Sequence, residues 1–174
     1  MKVYLFILLT LLTHSCARPN NYISPRYVVL AEKILKEMEE KLSKKYHMRV
    51  IADIGGLMEK VNLLGLEFQI QGPLTREQLR VILVGCVEAF LSVLNTNEEI
   101  RSHLKTYPFT AAGIEIAIFV MDTNGRRVSD PYVGIAQALN GTLDYMTIDK
   151  TNEYRNRSTI SETYEEAMQI LGYR

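Results

Sequence analysis

The run Leu79 to Leu94, "LRVILVGCVEAFLSVL", limits what this chain can become more than any other stretch. Nearly every position is apolar, and only Arg80, Glu88 and Ser92 interrupt it. Thr75 followed by Gln78 makes a capping-box pattern that starts a helix just upstream. At ~1.5 Å per residue the run is about 24 Å long, short of the ~30 Å hydrocarbon core of a bilayer. The expectation is a buried helix, with a sheet on one side and the first helix, the last helix or a second copy of the chain over most of the rest. The three interruptions are eight and four residues apart, steps that return to nearly the same side of a helix. They read as one polar stripe facing water.

The segments around this helix supply its cover. "SPRYVVLAEKILKEMEEKLSKKY" places Tyr27, Leu30, Ile34, Met38 and Leu42 at helical spacing, with Ser24 as the cap and Pro25 in the first turn. Met48, Val50, Ala52 and Ile54 then alternate with Arg49, Ile51 and Asp53, and Gly55-Gly56 reads as a turn. Leu64, Leu66, Phe68 and Ile70 alternate against Gly65, Glu67, Gln69 and Gln71, the pattern of an antiparallel strand with one wet face. Ile114, Ile116, Ile118 and Val120 form one face of a further strand. Its other face, Glu115, Ala117, Phe119 and Met121, is also largely apolar, so this strand is expected to be central or half-covered.

Asn140-Gly141 between "YVGIAQAL" and "TLDYMTID" is the strongest hairpin signal, because both residues tolerate the positive φ of a type I′ turn. A last amphipathic helix is expected to bury Ile160, Tyr164, Met168 and Leu171, with Thr159 and Glu162 boxing its start. The order α-β-β-α-(α)-β-β-β-α gives an α+β domain over residues 24–174. About five antiparallel strands pack on the long central apolar helix, flanked by amphipathic helices at the N- and C-termini.

Ahead of this domain stands a secretion-type leader: Lys2, the ten-residue apolar run "VYLFILLTLL", and a small-residue zone "THSCA". A cut after Ala17 would remove Cys16. Ser15-Cys16, however, resembles the end of a bacterial lipobox, with Thr13 and His14 where such boxes carry leucine and a small residue. That resemblance implies lipidation of Cys16, a signal peptide over residues 1–15 and a polar tether over 16–23. Keeping Cys16 unmodified would leave a reactive thiol on an exposed terminus. The lipid-anchored form is therefore favoured over release as a soluble secreted protein.

Composition narrows the activity. The chain has 20 basic and 20 acidic residues; loss of Lys2 with residues 1–15 leaves 19 against 20, a formal charge of −1. Such a balance offers no field to attract nucleic acid. With 47% apolar residues the domain is expected to fold without disulfide or metal staples. His47 and His103 stand far apart and Cys86 sits within the apolar helix, so no zinc-ligand spacing or thiol nucleophile is formed. "DTNGRRVSD" opens like a calcium loop, but Arg126 and Arg127 occupy places where oxygen ligands would continue, which favours a tight turn.

No cofactor is implied. The remaining candidate is a binding surface: Ala117, Phe119 and Met121 on the sheet, with Tyr107 and Phe109 of "TYPFT" as a contact site or a plug over the sheet's edge. The chain reads as an exported, lipid-anchored bacterial envelope protein that binds an unidentified protein or apolar ligand, with homodimerisation as a further option. A secreted carboxylate-based hydrolase is the alternative. A pocket holding two carboxylates, one with a strongly raised pKa, would favour the enzyme. An open sheet face bearing Phe119 and Met121 would favour binding.

Overall fold

The computed structural model describes residues 23–152 and 154–173. The leader and Cys16 lie outside the described residues. Helix α1 spans Arg26–Tyr46, strands β1 and β2 span Arg49–Leu57 and Val61–Gln71, and α2 spans Arg76–Thr96. A short α3, Glu98–Arg101, precedes β3 (Ile114–Met121), β4 (Val133–Leu139), β5 (Thr142–Ile148), β6 (Asn156–Thr163) and α4 (Tyr164–Ile170). The strands form one sheet in the order β1-β2-β3-β4-β5-β6. The molecule is thus α+β, with a six-stranded mixed sheet in place of the five antiparallel strands expected.

The mixed character comes from the central pair. β2 and β3 run parallel, while every other neighbouring pair is antiparallel. Parallel neighbours need a long crossover, and α2 with α3 provides it. Gly65 lies at the tightest point of this pairing. A Cβ there would come within 1.8 Å of the Glu115 carbonyl oxygen, so only glycine lets the two backbones meet.

Helix α2 starts as its sequence dictates: Thr75 Oγ1 accepts from Gln78 N, and Gln78 Oε1 accepts from Thr75 N. Its buried side chains include Leu79, Leu83, Cys86, Val87, Phe90 and Leu94. The helix is long and apolar enough to cross a membrane, yet these residues belong to one continuous core with Leu64, Phe68, Ile116 and Ile118. Helix α1 packs on β1 and β2, α2 on β3 to β5, and α4 on β5 and β6; α2 also touches both other helices. Helices that touch each other while resting on one sheet lie on the same side of it.

Several local expectations shift. α1 has Pro25 as its N-cap with no side-chain cap bond, so Ser24 does not serve as the cap. Gly55 and Gly56 lie inside β1, and the chain turns later, at residues 58–60. A bulge between Val50 and Ala52 breaks the alternation in β1: Val50 pairs with core-facing Phe68, whereas Ala52 pairs with Glu67 on the opposite face. The Asn140-Gly141 turn forms as expected, with φ of 51° and 78°.

The largest correction is at the C-terminus. Residues 156–163 form β6 rather than the start of a helix, and α4 begins at Tyr164 with Thr163 and Glu166 as its capping box. Ile160 is consequently half-exposed on an edge strand instead of buried in a helix face. "TISE" and "TYEE" both fit the box pattern, and strand pairing with β5 selects the second.

Candidate functional site

The polar residues of α2 come first, because the structure moves them away from water. Arg80 is buried and makes a two-point ion pair with Glu162 of β6, Nε to Oε1 at 2.7 Å and Nη2 to Oε2 at 2.8 Å. The Tyr145 hydroxyl donates to the same Oε1 at 2.6 Å. Two turns along, Glu88 accepts from the Tyr164 hydroxyl of α4. Ser92 alone of the three remains exposed. The predicted water-facing stripe is therefore a polar seam that receives β6 and α4.

Electrostatics follow from this seam. Burial alone would lift the Glu162 carboxyl, but Arg80 and then Tyr145 outweigh it and hold the group below the ordinary glutamate value. Burial, followed by the Glu162 carboxylate, raises the Tyr145 phenol; burial and then Glu88 do the same for Tyr164. All of these shifts favour the ionised carboxylate and the neutral phenol. That arrangement stores structure and offers no poised proton donor.

The sheet's other face carries the predicted binding residues. Register places Arg49, Gln69, Phe119, Ile135, Met146 and Thr159 in one row across six strands. The next row runs Ala52, Glu67, Ala117, Gln137, Asp144 and Ser161. Ala117 and Met146 are shielded by neighbouring side chains but stand apart from the continuous core on the helical side. Phe119 and Met121 are half-buried, with the Arg127 guanidinium 5.2 Å from the Phe119 ring centre. Together with Ile51, Gln69 and Arg126 they line a shallow hollow of about 240 Å³.

Tyr107 and Phe109 do not join this face. Phe109 is buried, and Asn95 clasps its backbone: Phe109 N donates to Asn95 Oδ1 at 2.6 Å and Asn95 Nδ2 to Phe109 O at 3.0 Å. Phe109 belongs to the core, with its ring against Gly113 just ahead of β3, and is not a surface contact. Tyr107 stays exposed, with the Arg101 guanidinium over its ring at 4.9 Å.

A larger groove of about 520 Å³ went unforeseen. It opens on the helical side, between the segment entering α2 and the β5–β6 edge, and its walls include Leu74, Pro131, Tyr132, Tyr145 and Ile160. Tyr132 and Ile160 are about half exposed. Its size suits a small ligand, but its lining comes from four separate segments, so only the folded sheet assembles it. The half-polar, β-branched "RSTIS" of β6 was the one sequence signal available.

Other chemistry is muted. Burial pushes the Cys86 thiol well above its usual range, leaving it inert. Asp122 Oδ1 accepts from the backbone N–H of Asn124 and of Arg126, so the calcium-like segment uses its carboxylate to close a turn. No cluster of metal-ligating side chains occurs among the described residues.

Fold and site together define an α+β protein whose mixed sheet carries its described helices on one side only. Compared with known protein families, curated proteins and solved structures, the chain matches none.

Proposed function

We propose that this is an exported, lipid-anchored bacterial envelope protein that works by binding a partner protein on the open face of its sheet. The observation that carries the reading is the placement of α1, α2 and α4 on one side, which leaves Phe119, Met121, Ile135 and Ile51 facing outward. The hollow beside Phe119 is smaller than a typical small-molecule pocket, which starts near ~300 Å³. A protein surface suits a shallow, broad face of this kind better. Its composition supports the choice: Phe119, Ile135 and Met146 form an apolar row, Gln137 and Asp144 stand beside it, and Arg49, Arg126, Arg127, Glu67 and Glu115 lie around them. Favouring binding over a carboxylate hydrolase, the larger groove includes a single carboxylate, Glu77, in its lining.

Two experiments separate delivery from binding. Mass spectrometry of the mature chain is expected to find a lipid-modified Cys16 at its start; an unmodified chain beginning at Arg18 would refute the anchor. A photo-crosslinking residue at position 119, introduced in the native host, is expected to give a discrete adduct that the same residue at position 40 on α1 does not. Equal labelling at both positions, or none at 119, would refute the open face as the binding site.

A further inference from the structure

We propose that β6 is a dimerisation edge, at which two copies of this chain join their sheets antiparallel about a two-fold axis through Ile160. The proposal goes beyond binding on the open face and does not depend on the lipid anchor.

The two ends of the sheet are built differently. β1 is interrupted by irregularities at Val50/Ala52 and Gly56/Leu57, features that discourage strand addition. β6 has a single irregularity, at its start opposite Thr147/Ile148, then pairs regularly with β5 from Ser158 to Thr163, contains no proline or lysine, and is exposed along nearly its whole length. Its two charged side chains are already engaged within the protomer, Arg157 with Asp130 at 2.8 Å and Glu162 with Arg80. Nothing on this edge repels an added strand.

The ladder also specifies which backbone groups are free for a partner. Tyr164 N donates to Gly141 O at 2.9 Å, so in this alternating antiparallel ladder the even-numbered residues of β6 bond to β5. The amide and carbonyl groups of Thr159 and Ser161 therefore point outward. A two-fold axis normal to the sheet keeps the helical side of both copies together, so facing residues must share parity. Centring the axis on Ile160 sets Ile160 against its own copy and Thr159 against Ser161 of the other. A centre at Ser161 would set Ile160 against Glu162, and one at Thr159 would set it against Ser158.

Charge points to the same partner. Arg155 stands just ahead of β6, 3.2 Å from Asp149 yet with its side chain 71% exposed, and Glu165 lies exposed just past the strand's end. Antiparallel joining about Ile160 sets Arg155 of one copy beside Glu165 of the other, a self-complementarity that a second copy satisfies twice. Ile160, half-exposed on the wall of the larger groove, becomes covered in the process.

The test uses the full chain in mild detergent. Sedimentation is expected to show a protein mass twice that of a single mature chain. Thr159→Pro removes an outward N–H without breaking a bond to β5, and is expected to raise the dimer dissociation constant at least 100-fold with the circular dichroism spectrum retained. Ile160→Cys, whose Cα is expected ~4.5 Å from its symmetry mate, should form a disulfide-linked dimer on mild oxidation. Asp53→Cys on the β1 edge and the parent chain should not, all three chains carrying Cys16→Ser so that an unmodified Cys16 does not cross-link them. Arg155→Glu should weaken association about tenfold and Glu165→Lys should restore it. A parent chain that is monomeric at all concentrations, an Ile160→Cys chain that does not cross-link, or equal cross-linking through Asp53→Cys would overturn the proposal.

Discussion

Arg80 and Glu162 show how one residue pair can tie distant parts of a chain. Their side chains are 5% and 12% exposed, and each satisfies the other at two points. Removing one partner strands a charge where water cannot reach it. Arg80→Met is expected to lower stability by about 3–5 kcal/mol, whereas Arg80→Met combined with Glu162→Leu should recover most of that loss. Urea unfolding of the two variants measures the difference. The pair also sets a pH dependence: the folded Glu162 carboxyl titrates below its unfolded value near 4.5. Its stabilisation is complete above that pH and disappears as pH falls through the lower, folded value. The stability gap between the parent and Glu162→Gln should therefore narrow as pH is lowered from 5 toward 3. Constancy of the gap over that range would contradict the charge pairing. Alignment of Arg80 with Glu88 and Ser92 was legible in the sequence; their burial was not. A stripe is visible in one helix, but its cover arrives from residues 82 positions further on.

Among the elements, the β2–α2–β3 crossover governs the topology. α2 could be recognised from its apolar run and its Thr75–Gln78 box, and the β4–β5 hairpin from Asn140-Gly141, because each signal is complete within a few residues. The parallel pairing of β2 with β3 could not, since alternation of apolar residues looks alike in either direction. Gly65 marks that pairing physically. Gly65→Ala forces a Cβ onto the Glu115 carbonyl and should cost about 3 kcal/mol or prevent folding. Thermal unfolding reads the effect, with Gly125→Ala as a comparison that meets no neighbouring atom and carries only the strain of its positive φ of 74°, about 1–2 kcal/mol. β6 escaped recognition for a related reason: "NRSTISET" is polar and carries a helix-start pattern, while its pairing with β5 supplies the deciding energy.

At the scale of the molecule, one core lies between the sheet and its helices, and among the described residues no helix covers the opposite face. The two faces should respond differently to the same truncation. Phe90→Ala, on the core side of α2, is expected to cost about 3–5 kcal/mol. Phe119→Ala, on the open face under the Arg127 guanidinium, should cost about 1 kcal/mol or less. Comparable losses at both positions, measured by denaturant unfolding, would mean that the face bearing Phe119 is as tightly packed as the core. The apolar second side of β3 was evident from Ala117, Phe119 and Met121, but whether a helix covered it depended on where α1 and α4 docked.

The α+β class, the buried central helix, the amphipathic first helix and the tight β4–β5 hairpin were all readable along the chain. These rest on periodicity, capping and turn chemistry, which act between residues a few positions apart. The parallel strand pair, the sixth strand, the burial of the polar seam and the side of the sheet on which the described helices dock emerged with the folded chain. Each of those depends on contacts between segments far apart in the chain, whose pairing energy appears only once the chain has folded back on itself.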